Sequence, residues 1–563
     1  MKNQALNHKT SQSGRFFNFG YNPLDMQPLI PATLCFFAAL YACNGASSNG
    51  LPASQDTLPA RQVITEDPSL RGNFSAQKTL RFDSAEIKKF LRAYDSLSVY
   101  QADIREFYRR RNYAFAWFDD AGLIEQSGDL FNKLIHLESE GVLAKPPYLL
   151  TYQGMMDAGN TTVKGQPNPS LEIMQTAQYF YYANKVWAGI PESQSRKMEW
   201  MLPRKKIDYD LLLDSMLRSS KAGEKIQEPV FRQYALLRNY LTRFQEIEKK
   251  GTWLTIRAGR NKYQAGDSGE VIAQIRKKLF LSRDLPDDSH SRIFDASLTA
   301  AVKRFQYRYG LLGDGIVGPA VIREMNTPLA KRIQQIIVNM ERCRWVNANP
   351  AGDYLVVNIP QFKLLVFEND SLAWDCNVVV GEVLHKTAIF QGTLKTIVFS
   401  PYWNVPPGIL KKEILPAIRK NPDYLDRHNM EWNDGQVRQK PGAGNALGLV
   451  KFLFPNSYNI YLHDSPAKSL FQENKRTFSH GCIRVAEARR LAHYLLRNDP
   501  SWTSGKIDAA MNSGREKFVP VQKPLPVSIV YFTAWVDREG RINFRDDVYK
   551  RDARLMEAIF VKK

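Results

Sequence analysis

Tyr458-Asn-Ile-Tyr461-Leu-His463-Asp464-Ser465, followed by Ser479-His480-Gly481-Cys482-Ile-Arg484, is the stretch on which the reading of this chain turns. The run from Tyr458 to Leu462 alternates in the manner of a strand, and His463 stands at its end. Nineteen residues after His463 comes Cys482, with His480 two positions before it, Gly481 between them and Arg484 beyond. A thiol becomes a useful nucleophile toward a carbonyl when an imidazole takes its proton and backbone amides hold the resulting oxyanion. His463 and His480 are both candidate bases. In an extended strand His480 and Cys482 would point the same way, whereas a turn at Gly481 would separate them. His463 is favoured, because a strand end holds it rigidly beside a second strand end, and His480 is then a positioning group. Gly481 lets the backbone approach a substrate, so the amides of His480, Gly481 and Cys482 can form an anion-binding nest. Arg484 would hold a substrate carboxylate or fix the loop.

A lone cysteine is more often a small buried hydrophobe, and a lone histidine a satisfied core residue. Two histidines, a glycine and an arginine in one short neighbourhood reverse that balance. One cysteine and two histidines could also ligate zinc. Against zinc stand the lack of CxxC or HExxH spacing and the presence of only one nearby carboxylate, Asp464. No metal and no diffusible cofactor is expected.

Composition bounds the rest. At 563 residues the chain is too long for a single core and implies roughly three to four domains. An apolar content of 44%, with 12% aromatic, excludes wholesale disorder. The net charge of +20 suits nucleic acid, anionic lipid or an acidic polymer. No helix-turn-helix, zinc-finger or RNP-like pattern accompanies that charge, so nucleic acid is not expected as a partner. Five cysteines, Cys35, Cys43, Cys343, Cys376 and Cys482, are too few for a disulfide scaffold. Cys343 and Cys376 are most simply buried thiols.

Residues 1–43 have the character of an export segment: Lys2, Lys9 and Arg15 precede an apolar run from Leu29 to Ala42 that is too short to span a bilayer comfortably. Leu40-Tyr-Ala-Cys43 resembles a lipoprotein cleavage box, which would place a membrane tether on Cys43. An ordinary cleaved signal or an uncleaved anchor is the competing reading. Residues 44–83 read as a flexible linker. Residues 84–250 are helical in pattern, with Phe107-Tyr-Arg-Arg-Arg-Asn-Tyr-Ala-Phe-Ala-Trp117, Leu130, Leu134, Leu137, the turn Glu140-Gly141, and Leu211, Leu212, Met216 and Leu217 as apolar faces. Arg109, Arg110 and Arg111 are expected on a solvated face.

Over 260–328, Gly269 and Asp295 open two apolar-periodic runs, Gly310 ends the second, and Asp314-Gly315-Ile-Val-Gly318-Pro319 turns into a third, so three short helices share one small core. Residues 329–351 contain a connecting helix. Strands are expected at 354–359, 363–367, 377–380 and 394–399 within a unit spanning 352–515, with a helix over 486–497. Within it, Pro401-Tyr-Trp403-Asn404-Val-Pro-Pro-Gly-Ile409 and the basic helical run 410–420 belong to an insertion over about 401–450. Residues 516–563 carry a hairpin signal at Asp537-Arg-Glu-Gly540 and a tail.

The histidine, the SHGC segment and the arginine, together with Pro441-Gly-Ala-Gly-Asn445-Ala-Leu-Gly448 and Lys451-Phe-Leu-Phe-Pro-Asn456, resemble the L,D-transpeptidases, cysteine enzymes of the bacterial cell wall with a YkuD-type catalytic domain. The 84–250 segment is similar to the helical scaffold of the large periplasmic members, and 260–328 to a type 1 peptidoglycan-binding domain. The resemblance implies a multidomain α+β protein with a beta-rich catalytic domain and a lid over 401–450, and a C-terminal tail folded back on the scaffold. It implies that Cys482 is acylated by the third residue of a tetrapeptide stem with loss of D-alanine, and that a second stem's amine resolves the thioester. Residue by residue, Cys482 matches the nucleophile, His463 the base, the Asp464 carbonyl the group that orients His463, and His480 and Gly481 the oxyanion segment. Arg484 matches the closing arginine. Tyr461, Ser479, Trp403 and Asn404 have weaker claims to substrate contact. Peptide stems and the sacculus are the implied partners, and a tethered, wall-associated periplasmic location follows. An L,D-carboxypeptidase using water, or a non-catalytic wall-binding protein, are the alternatives.

Overall fold

The computed structural model describes residues 78–159, 167–204, 206–218, 228–346 and 352–560. The export segment, nearly all of the linker, Cys35 and Cys43 lie outside those residues. No helix among the described residues is long and apolar enough to cross a membrane.

The helical region is organised around one buried carboxylate. In the helix Gln101–Arg110, Ile104, Phe107 and Tyr108 fall at i, i+3 and i+4 and are buried. Glu172, in the helix Pro169–Tyr182, accepts the Ala116 amide at 2.6 Å, the Trp117 amide at 3.0 Å and the Tyr108 hydroxyl at 2.8 Å. Thr176 takes the Trp117 indole N–H at 2.8 Å. The aromatic run 107–117 is therefore pinned by hydrogen bonds as well as by packing. Burial outweighs those bonds and pushes the Glu172 carboxyl up to about 7. Two expectations change here. Arg109 and Arg110 pair with half-buried Glu106, but Arg111 is largely buried against Asp214 at 2.6 Å, because the helix Tyr209–Arg218 packs over it. In that helix the buried positions are Leu213 and Leu217, while Leu211 is exposed.

Three helices, Glu270–Leu281, Ala296–Arg308 and Pro319–Met325, close the next small core, with Asp295 capping the second by accepting the Leu298 amide at 2.7 Å. The helix Leu329–Trp345 links everything else. Its Arg344 donates to the Val186 carbonyl at 2.7 Å, and its Arg342 pairs with Asp552 at 2.7 Å. Gln335 reaches the Thr533 and Arg545 carbonyls at 3.1 and 3.0 Å. Both partners of the Arg342–Asp552 pair are buried, so losing either one would leave an uncompensated charge inside the protein.

The unit that carries His463 and Cys482 is a nine-stranded sheet. Its strands are β1 (Tyr354–Asn358), β2 (Lys363–Glu368), β3 (Ser371–Gly381), β4 (Gln391–Phe399), β5 (Val450–Leu453), β6 (Leu462–His463), β7 (Thr477–Ser479), β8 (Ile483–Val485) and β9 (Lys517–Val530). They lie in the order β7-β3-β8-β6-β5-β4-β9-β1-β2, and β2 pairs again with β3, closing the sheet on itself. Closure leaves only β7, paired with β3 alone, as an edge strand of this sheet. Because β9 pairs with both β4 and β1, the sheet extends past residue 515, where the unit was expected to end. Beyond β9 the chain breaks before Ala534–Val536, which pairs with Ile542–Phe544 around Asp537–Gly540. Val536 exchanges two hydrogen bonds with the Gln233 side chain, and Arg551 pairs with Glu199 at 2.9 Å. The tail thus contacts the helical region. Cys343 and Cys376 are buried free thiols, and burial pushes the Cys376 thiol up to about 12.

The strand expected over 458–462 shrinks to Leu462–His463. Asn456 captures the preceding backbone: its Oδ1 accepts the Tyr458 and Ile460 amides at 3.0 and 3.2 Å, and Asn459 adopts a φ of +54°. Such side-chain bonds compete with a strand ladder.

The insertion between β4 and β5 has its own core of Val405, Ile414, Met430 and Val437, and its own three-stranded sheet of residues 403–404, 436–439 and 430–433. Asp434-Gly435, both at positive φ, make the hairpin turn. The helical run is interrupted: residues 410–414 are π-helical between the α-helical turns 407–409 and 415–420.

Candidate active site

β6 and β8 run parallel, with Leu462 opposite Ile483 and His463 opposite Arg484. Side chains alternate along a strand, so His463 and Arg484 share a face. Two residues earlier on each chain, Tyr461 and Cys482 continue that face, tied by the Ile483 amide donating to the Tyr461 carbonyl at 3.1 Å. The electrostatics agree with the register: Tyr461 and the Arg484 cation both act on Cys482, and Arg484 acts on His463 as well. The Tyr461 and His463 rings are 5.7 Å apart. Cys482, partly exposed, also directs its thiol toward the Asn459 carbonyl at 3.7 Å.

His463 is buried, and its Nδ1 lies 2.5 Å from the Asp464 carbonyl. A carbonyl can only accept, so Nδ1 carries the proton and Nε2 keeps its lone pair. Burial, and then the neighbouring Arg484 cation, pull the His463 imidazolium down to about 4. Burial pushes the Cys482 thiol up, against the lowering effects of Tyr461 and Arg484. The resting pair is therefore a neutral thiol and a neutral imidazole. The Asp464 carboxylate is engaged elsewhere: it accepts the Leu449 amide at 3.1 Å and pairs with Lys468. Gly448, at a φ of +63°, leaves it room, since a Cβ there would collide with it.

The turn before the nucleophile is fixed by backbone bonds. Gly481 has a φ of +114°, a conformation that side chains with a Cβ rarely adopt. Ser479 Oγ donates to the Cys482 carbonyl at 2.5 Å and accepts the Gly481 amide at 3.2 Å, so Ser479 braces the turn. Of the three amides expected to face an oxyanion, that of Gly481 is already engaged. The Cys482 amide has no protein acceptor among the described residues. Buried Thr387 receives the Gly381 amide and donates to the Gly481 carbonyl, both at 2.9 Å. Tyr549, from the tail, donates to the Gly381 carbonyl at 2.5 Å. Sequence reasoning missed Thr387 and Tyr549: Thr387 is six residues from Gly381 but 94 from Gly481, and Tyr549 is 168 from Gly381, so their link to the turn has no local signal.

His480 turns away from this face. Its Nε2 lies 3.1 Å from Glu413 of the lid, and its ring is 5.1 Å from that of His385. The zinc reading built on Cys482 with both histidines is not favoured by this arrangement, because His463 points to Asp464 and His480 to the rim. Trp403 packs on the lid core beside Gln439, and Asn404 is exposed on the same short strand. At the lid base Asn445 is buried, and its amide donates to the Pro401, Gln439 and Lys440 carbonyls at 3.1, 3.3 and 2.9 Å, joining both ends of the insertion.

Together these features describe a multidomain α+β protein with a cysteine and a histidine on one face of a closed sheet, and a separately packed insertion that reaches His480 through Glu413. Residues 352–504 match the family model described as the L,D-transpeptidase catalytic domain, YkuD. Residues 102–241 match a scaffold domain, and 273–325 match a "Putative peptidoglycan binding domain". The chain is 30% identical over 243 residues to a "Putative L,D-transpeptidase" of Haemophilus influenzae, a match that covers 39% of this chain and 49% of that relative, about half its length. Solved structures to which the chain is similar include L,D-transpeptidases from Xylanimonas cellulosilytica (13% identity, 49% of this chain, 100% of that one, TM-score 0.17) and Stackebrandtia nassauensis (13%, 49%, 97%, TM-score 0.22). The chain carries the YkuD-type L,D-transpeptidase catalytic domain, joined to a scaffold domain and a domain of the peptidoglycan-binding type.

Proposed function

We propose that this protein is a wall-associated L,D-transpeptidase that forms direct cross-links between the third residues of neighbouring peptide stems, working through a thioester on Cys482. The observation that carries the reading is the single sheet face shared by Tyr461, His463, Cys482 and Arg484. In this mechanism Sγ attacks the carbonyl carbon of the third stem residue while the thiol proton passes to His463 Nε2, the nitrogen left free by the Asp464 carbonyl. The Cys482 amide receives the developing oxyanion. The bond to the terminal D-alanine breaks, and its amine leaves with the proton from His463. The amine of a second stem then attacks the thioester, gives up its proton to His463 and restores the thiol. A neutral resting pair fits this proton shuttle, because charge appears only as the sulfur–carbon bond forms. Ser479 and Thr387 act as positioning residues, and Arg484 holds the loop or a substrate carboxylate.

We further propose the division of labour read from the sequence: scaffold over 84–250, a wall-binding unit over 260–328, and export with tethering through Cys43. The test is intact-mass analysis after incubation with a carbapenem and with tetrapeptide muropeptides. An acyl adduct is expected on the native chain and none on Cys482→Ala; a labelled Cys482→Ala protein would show that the nucleophile is misassigned. Cross-linked dimers among the products support transpeptidation, and trimmed tripeptides alone would assign the carboxypeptidase reading instead.

A further inference from the structure

We propose that Glu382, His385 and His480, completed by Glu413 of the lid, form a binding site for a borderline divalent cation of the zinc class at the rim of the catalytic turn. The ligating atoms of the first three residues all lie within 4.8 Å of one another. His385 Nδ1 is 2.7 Å from Glu382 Oε1, and His480 Nε2 is 3.1 Å from Glu413 Oε1. Donors around tetrahedral zinc, each about 2.0–2.1 Å from the ion, stand about 3.3 Å from each other, so small side-chain rotations would bring Glu382, His385 and His480 to coordination, with Glu413 following from its place beside His480. Two imidazoles suit zinc-class ions and disfavour calcium or magnesium, which prefer all-oxygen sites, and two carboxylates balance a dication.

Ordinary surface histidine–glutamate pairs are isolated and mobile. These two pairs converge from three segments, and two of the segments are held together beneath them. The Glu382 amide donates to the Ser479 carbonyl at 2.9 Å, the His385 amide to the Glu382 carbonyl at 3.1 Å, and Thr387 joins Gly381 to Gly481. Three donors therefore sit on a framework already fixed for the nucleophile. The fourth comes from the π-helical stretch 410–414, an irregularity that helices often keep at functional sites. An ion bound here would tie the lid to the residue two positions before Cys482.

The test uses the full chain with Cys482→Ser, so that the thiolate contributes nothing and the result is independent of the acyl-transfer reading. Isothermal titration with zinc chloride is expected to show saturable binding at one site. Affinity falls at least about tenfold in His385→Gln and in Glu382→Gln, each made in the Cys482→Ser background. Glu413→Gln lowers it less and removes a zinc-dependent slowing of amide exchange in residues 407–420. All three side chains are partly or fully exposed, so each variant is expected to keep its metal-free unfolding midpoint. Binding that survives both His385→Gln and Glu382→Gln unchanged would place the ion elsewhere and overturn the proposal. So would zinc binding by the native chain that vanishes in Cys482→Ser, or no saturable binding by either.

Discussion

The turn at Gly481 and the insertion over 401–450, the proposed lid, are built on opposite plans. The turn around Gly481 is held by Ser479, Thr387 and, through Gly381, by Tyr549, most of them buried and drawn from distant parts of the chain. The lid keeps a separate core of four apolar side chains and is stapled at its base by Asn445. A nucleophile and its oxyanion donor lose rate steeply when misplaced by an ångström, so their support must be rigid. A cover over a substrate must open, and a subunit with its own small core can move without disturbing the sheet. Rigidity in this protein is thus concentrated where the proposed chemistry needs geometry.

The largest effect should come from the turn's side of that contrast. His463→Gln is expected to slow acylation of Cys482 by about 10²–10⁴-fold, read by intact-mass time courses, while the thermal unfolding midpoint stays close to native. The same residue has a pH signature. Its folded pKa of about 4 lies below the ordinary 6.5, so its contribution to stability is complete above about pH 6.5 and is lost as pH falls toward 4. At about 1.4 kcal/mol per unit, the loss is on the order of 3 kcal/mol. Urea unfolding at pH 7 and pH 4.5 should show a clearly smaller drop for His463→Gln than for the native chain.

Gly481→Ala forces a side chain into a φ of +114° and is expected to cost about 1–3 kcal/mol of stability, with a roughly hundredfold slower acylation. Asn445→Ala addresses the lid instead: losing three buried hydrogen bonds should speed amide exchange across 401–450 while the closed sheet keeps its protection. Equal loosening of both regions would break the proposed distinction. Tyr549→Phe, which removes one buried donor to Gly381, is the mildest, at about 1 kcal/mol and a fall in acylation rate within about tenfold.

Much of the architecture was legible in the chain because it rests on local rules. Periodicity gave the helices, Asp295 and Gly310 their ends, and Asp537–Gly540 its hairpin. Where a reading failed, a nonlocal or competing contact had intervened. Asn456 took the backbone that alternation assigned to a strand, and Asp214 drew Arg111 inward. β9 joined the closed sheet although it follows residue 515. At the site, the sequence singled out Cys482, His463, His480, Gly481 and Arg484, whereas the side on which each faces depends on strand register.

The sequence by itself determined the chemical inventory: one cysteine beside a glycine, two histidines and an arginine, within a chain long enough for several cores. Only the tertiary structure decided that His463 shares the cysteine's face while His480 turns to His385 and Glu413, and that Thr387 and Tyr549 brace the turn. The reason is physical. Residue type and short spacing fix what a group can do, but proximity across 94 or 168 residues exists only once the sheet has closed.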